Sequence, residues 1–86
     1  MKLILYSKPG CHLCEGLEEK IRAITEIKID LEVRDINTNS EWWEKYQYEI
    51  PVLYVETKGG AKLIPRVSPR ISVGQLTKIL AQYQET

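Results

Sequence analysis

The feature that most constrains this chain is a pair of cysteines, Cys11 and Cys14, set at the junction between a short apolar run and an amphipathic one. Upstream, Leu3-Ile4-Leu5-Tyr6 reads as a fully buried strand, which Ser7-Lys8-Pro9-Gly10 breaks with two strong structure punctuators. Downstream, from Cys11 to about Thr25, Leu13, Leu17, Ile21 and Ile24 recur at helical spacing. Glu18, Glu19, Lys20 and Arg22 fill the other face of that helix. Side chains three apart inside an ideal helix keep their Cβ atoms about 5–6 Å apart, whereas a disulfide needs about 3.5–4.5 Å. Bridging therefore requires one cysteine at or before the cap, and Cys11 is expected to be that residue. There its sulfur faces the unpaired N–H groups of the first turn and the positive end of the helix dipole, which favour thiolate over thiol. The Cys11 pKa is expected below that of a free cysteine, and Cys14, one turn in, is expected to be more buried. Cys11 attacks and Cys14 resolves.

The rest of the chain supplies a frame for this pair. Leu31 and Val33 alternate with Glu32 and Arg34 in a strand running to Ile36. Asn37 to Ser40 is a cluster of cap formers, and Thr38 with Glu41 fits a capping box for a short helix through about Tyr46. Trp42, Trp43 and Tyr46 form its packing surface. Pro51 opens a strand over Val52 to Glu56, Thr57 to Gly60 turns, and Ala61 to Ile64 returns as a hairpin partner. Beyond the loop of Pro65 and Pro69, Ser72 with Gln75 caps a helix whose face carries Val73, Leu76, Ile79, Leu80 and Tyr83. The expectation is one α/β domain over residues 1–86, in the order β-α-β-α-β-β-α. A right-handed crossover makes its first two strands parallel and the hairpin adds two antiparallel ones, giving a mixed four-stranded sheet flanked by helices. Such sheets bind ligands beyond the carboxyl ends of their parallel strands, where the cysteines lie.

Composition narrows the partners. Twelve basic residues balance twelve acidic ones, so no field of one sign draws in nucleic acid or an anionic membrane. The Leu3–Tyr6 run is far short of the roughly 20 residues that span a bilayer. Lys2 and this run lack the long apolar segment of a secretion signal, so a cytoplasmic location is expected. In a reducing compartment two cysteines are more often redox or metal groups than a structural staple. Two cysteines and one histidine within four residues do not close a tetrahedral zinc site, so no metal ligand is assigned. A cluster bridging two chains stays open as a separate reading.

Auxiliary residues carry paired readings. His12, beside the nucleophile, either favours the thiolate as an imidazolium or is an ordinary surface histidine. Lys8 is either a second source of positive charge or a solvated lysine. Pro51 either merely starts its strand or is a cis-proline whose turn sets its backbone against the cysteines. Trp42 and Trp43 are expected in packing and at a partly exposed rim. Gly16 is expected to allow close approach of a neighbouring backbone.

Tyr6-Ser7-Lys8-Pro9-Gly10-Cys11-His12-Leu13-Cys14, followed by Ile50-Pro51-Val52, resembles the glutaredoxin-like branch of the thioredoxin superfamily along nearly the whole chain. The resemblance implies a thioredoxin-like, glutaredoxin-type fold. It also implies Cys11 as nucleophile, Cys14 as resolving thiol, Lys8 assisting thiolate or glutathione, a cis bond at Pro51, and Ile50 offering backbone bonds to substrate. The chain departs from that family's glutathione-grasping pattern. Leu13 stands where an aromatic residue usually precedes the second cysteine, and residues 66–74 hold neither a glycine pair nor an acidic residue. The function expected is a monomeric thiol-disulfide oxidoreductase that reduces protein or small-molecule disulfides. No cofactor is required, and glutathione or a reductase is the expected electron donor. A non-catalytic redox-sensing or partner-binding module is the alternative.

Overall fold

A computed structural model of the protein describes residues 1–84. In chain order its elements are β1 (Lys2–Ser7), α1 (His12–Arg22), β2 (Asp30–Asp35), a 3-10 turn (Ile36–Thr38), α2 (Ser40–Tyr46), β3 (Val52–Thr57), β4 (Gly60–Leu63) and α3 (Val73–Ala81). The sheet order is β2-β1-β3-β4. β1 runs parallel to β2 and antiparallel to β3, and β4 closes the hairpin antiparallel to β3. This is the thioredoxin-like α/β architecture, with the mixed four-stranded sheet and the helices read from the pattern.

β1 lies inside the sheet, so both faces of its apolar run need cover. Leu3 and Leu5 point into a cluster with Leu17 and Ile21 of α1, Leu53 and Val55 of β3, and Leu76 and Leu80 of α3. Ile4 and Tyr6 point the other way, against Ile36, Tyr46 and Val52. The alternation of a strand thus puts α1 and α3 on one face and α2 on the other.

Three local expectations need correction. The helix over the cysteines stops at Arg22 rather than Thr25. Its last turn tightens through i-to-i−3 bonds, Ala23 N to Lys20 O at 3.2 Å and Ile24 N to Ile21 O at 3.2 Å, which lets Ile24 and Ile27 drop into the core. The cap of α2 is Asn39, not Thr38: its side chain accepts from the amides of Glu41 and Trp42 at 2.9 and 3.2 Å. Thr38 is already engaged in the preceding turn, where its hydroxyl donates to Asp35 O at 2.7 Å. Gly16 has no neighbour within 4 Å of where a Cβ would stand, so it faces open space instead of a packed backbone. The capping box of α3 forms as read, with Gln75 N donating to Ser72 Oγ at 3.0 Å and Ser72 N to Gln75 Oε1 at 3.1 Å.

Candidate active site

The register of the two inner strands builds the site. Because β1 and β3 are antiparallel with Tyr6 opposite Val52, the chain leaving β1 and the chain entering β3 meet at one end of the sheet. The first carries Cys11 and the second carries Pro51. Gly10, at φ 80°, turns the backbone from the strand into the helix in a conformation that side chains other than glycine rarely adopt. Lys8 O accepts from Cys11 N at 3.3 Å and holds the turn closed.

Cys11 is the N-cap of α1, with φ −88° and ψ 102°, outside the helical region. It is joined to Cys14 as a disulfide, with the Cα atoms 5.3 Å apart. The extended cap conformation turns the Cys11 side chain to meet that of Cys14, whereas a continuous helix would hold their Cβ atoms too far apart. The amide of Cys14 donates to Cys11 Sγ at 3.3 Å, so one of the orphan N–H groups of the first turn is aimed at this sulfur. Exposure is unequal: Cys14 is 2% exposed, while Cys11 is only partly covered. Such an arrangement can stabilise negative charge on Cys11 Sγ and keep the second sulfur behind it, within bonding reach.

The auxiliary residues divide. The Ile50–Pro51 bond is cis, the second of the two readings of Pro51, and Pro51 lies on the wall of the groove beside His12 and Leu13. Ile50 packs on the α2-side core. His12 does not turn in toward the sulfur: its imidazole is 95% exposed and its Nδ1 lies 3.7 Å from Glu15 Oε2. Lys8 Nζ sits 5.8 Å from the centre of the Trp43 ring, so its charge rests on an aromatic face at the α2 side. Trp42 is half-buried and meets the Tyr6 ring edge-on, with centroids 5.6 Å apart; Trp43 is at the rim.

Two features were not singled out from the sequence. Behind the site, Arg34 donates to the Tyr6 hydroxyl at 2.9 Å and bonds Glu32, its guanidinium 5.3 Å from the Trp42 ring centre. Glu32 is held below the usual carboxylate range, first by its bond to Arg34 and then by its bond to Lys2. Beside Tyr6, Tyr46 is pushed above the ordinary phenol value by burial and then by its hydroxyl contact with Tyr54 at 3.2 Å. The second feature is a groove of about 530 Å³ running from His12, Leu13 and Pro51 past Leu63 to the loop at residues 64–71. The sequence marks its far end only by Pro65 and Pro69; the exposure of Leu63 on an edge strand comes from the sheet. Among the described residues, no group of three or more His, Cys, Asp and Glu side chains could hold a metal ion, and no helix is long and apolar enough to cross a membrane.

A mixed four-stranded sheet with helices on both faces, a C-x-x-C at the first strand-helix junction and a cis-proline at the mouth of the adjoining strand define the thioredoxin class of fold. Solved structures agree. Thioredoxin 1 from the thermophilic eubacterium Thermosipho africanus TCF52B superposes with a TM-score of 0.65 at 24% identity, over 96% of this chain and 93% of its own. A structure described only as that of a malarial protein superposes with a TM-score of 0.58 at 14% identity, over 95% of this chain and 94% of its own. Within the class, residues 2–81 match the family described as Glutaredoxin-like domain (DUF836), and the chain belongs to that family.

Proposed function

We propose that the protein is a thiol-disulfide oxidoreductase working through the Cys11–Cys14 dithiol. The observation that carries this reading is the Cys14 amide directed at a partly exposed Cys11 sulfur while Cys14 itself is buried. In the reduced protein the Cys11 thiolate attacks one sulfur of a substrate disulfide, forms a mixed disulfide and expels the first substrate thiolate. The Cys14 thiolate then attacks Cys11 Sγ, forms the intramolecular disulfide and expels the second substrate thiolate. Two electrons pass from the dithiol to the substrate, and the expelled thiolates take protons from water. A thiol donor, glutathione or a dithiol reductase, resets the pair, and the reading needs no bound cofactor. A cytoplasmic setting, where such donors are present, belongs to the same proposal.

Turnover of hydroxyethyl disulfide with either donor tests it. Cys11→Ser is expected to abolish turnover, and Cys14→Ser to accumulate a mixed disulfide on Cys11 that mass spectrometry detects. Activity surviving in Cys11→Ser removes that residue as the nucleophile.

A further inference from the structure

We infer that the groove beside the disulfide selects a protein substrate, through an apolar side chain followed by acidic residues near the substrate's own disulfide, in preference to glutathione. This rests on the dithiol reading above and names its substrate class. Three observations carry it.

The first is the pair of leucines left out of the core. Leu13, between the cysteines, is 54% exposed and Leu63, at the end of the edge strand, is 57% exposed; both line the groove. With Pro65 and Val67 they offer an apolar trough to whatever docks next to Cys11. Glutathione, built from Glu, Cys and Gly, brings no apolar side chain to fill it.

The second is charge. Lys20, Lys45 and Arg66 stand on the groove walls against one carboxylate, Glu49, on a chain whose net charge is zero. Lys20 donates to Pro69 O at 2.6 Å and Arg66 to Glu49 O, both uncharged carbonyls, and Lys45 lies 5.5 Å from the Tyr46 ring centre. Among the described residues no carboxylate lies within ion-pair distance of any of the three, so the rim suits an acidic partner.

The third is a partly occupied alternative. A helix N-terminus is a ready site for the carboxylate of a small ligand. At α3, the helix that follows the groove loop, the side chains of Ser72 and Gln75 already engage each other's amides, two of the donors that such a carboxylate would use. The trough and the rim then carry more of the selection.

The test uses the pre-reduced protein in stoichiometric reaction, so no external donor enters. Its substrates are hydroxyethyl disulfide, glutathione disulfide, and two disulfide-linked peptides with one apolar residue beside cysteine, flanked by Glu in one and by Lys in the other. The Glu-flanked peptide is expected to react fastest, about threefold ahead of its Lys-flanked counterpart at low salt, with the difference vanishing near 1 M salt. Leu63→Ser, which removes the apolar contact without adding charge, is expected to slow both peptides about tenfold. Lys45→Glu leaves two cations against two carboxylates on the groove walls and is expected to erase the difference between the two peptides. Both residues are exposed, so neither substitution threatens folding. Glutathione disulfide reacting as fast as the peptides, or peptides indifferent to both substitutions, overturns the inference while leaving the dithiol reading intact. Failure of hydroxyethyl disulfide to react at all removes the dithiol reading itself.

Discussion

Reduction of the Cys11–Cys14 bond changes stability by an amount that depends on pH, and that dependence reports on the cap. The bond links residues three apart in sequence. Closing so small a loop removes about 2 kcal/mol of chain entropy from the unfolded state. At pH 5, where both thiols are protonated, the oxidised protein should therefore resist urea by about 2 kcal/mol more than the reduced protein. At higher pH a second effect opposes the first. A Cys11 thiolate in the folded state accepts the Cys14 amide and lies at the positive end of α1. A charge-assisted bond contributes about 1.5–3 kcal/mol, which we discount to about 1–2 because Cys11 is partly exposed and solvent screens it. The proposed function requires the Cys11 pKa to be lower folded than unfolded, so this stability is fully present above the unfolded value and is lost as pH falls through the folded one. The gap between oxidised and reduced protein should narrow from about 2 kcal/mol at pH 5 to 1 or less, on the order of the difference of these two effects, by pH 9. Urea unfolding followed by Trp42 and Trp43 fluorescence, with a phosphine reductant and without, measures it. Subtracting the two forms at each pH cancels every group common to both. The buried Cys14 thiol is also confined to the reduced form and opposes the narrowing, and reduced Cys11→Ser keeps it. A reduced protein that gains no stability over that variant from pH 5 to pH 9 refutes the idea that the first turn of α1 stabilises the Cys11 thiolate.

Two further outcomes test the frame. Ser72→Ala removes the hydroxyl that accepts from Gln75 N and should lower the unfolding free energy by about 1 kcal/mol in urea, with the rate of hydroxyethyl disulfide reduction unchanged. Glu32, whose carboxyl is lowered by Arg34 and then Lys2, adds stability above its unfolded value that is lost as pH falls through its lowered folded value. The acid limb of the stability profile should flatten in Glu32→Gln; an identical limb means these half-buried pairs contribute nothing.

How much could be read without coordinates differed from element to element for physical reasons. The cysteine pair was legible because disulfide geometry and helix geometry conflict, which leaves Cys11 only one place to stand. The buried strand over Leu3–Tyr6 was legible because an apolar run without alternation needs cover on both faces, and α1, α3 and α2 supply it. Helix ends were less so. Thr38 and Asn39 are both good caps, and the choice fell to Asn39 once a 3-10 turn had engaged the Thr38 hydroxyl, an event that depends on where Asp35 leaves β2. His12 shows a different limit. Adjacency to Cys11 suggested an imidazole near the sulfur, yet successive helical positions point about 100° apart, and His12 turns to solvent and Glu15. The groove was illegible because exposure of Leu63 is a property of the sheet edge, and nothing in a strand of four residues says which edge it occupies.

The division of the site between elements of unequal burial has a consequence for how it can vary. Cys11 and Pro51 are attached to β1 and β3, adjacent inner strands with core on both faces. Their relative position is over-determined, and any change there disturbs packing. Leu63, Pro65 and Arg66 belong to or follow β4, an edge strand every residue of which is exposed. Substitutions at these positions alter shape and charge at little cost to the fold, since surface changes away from caps and cores are usually worth less than about 0.5 kcal/mol. On the proposed function, bond exchange and partner choice therefore sit on separable parts of one surface. Groove variants should move substrate preference while the pH dependence set by the cap stays where it is, and a groove substitution that shifted both would show that the two parts are coupled through Pro51.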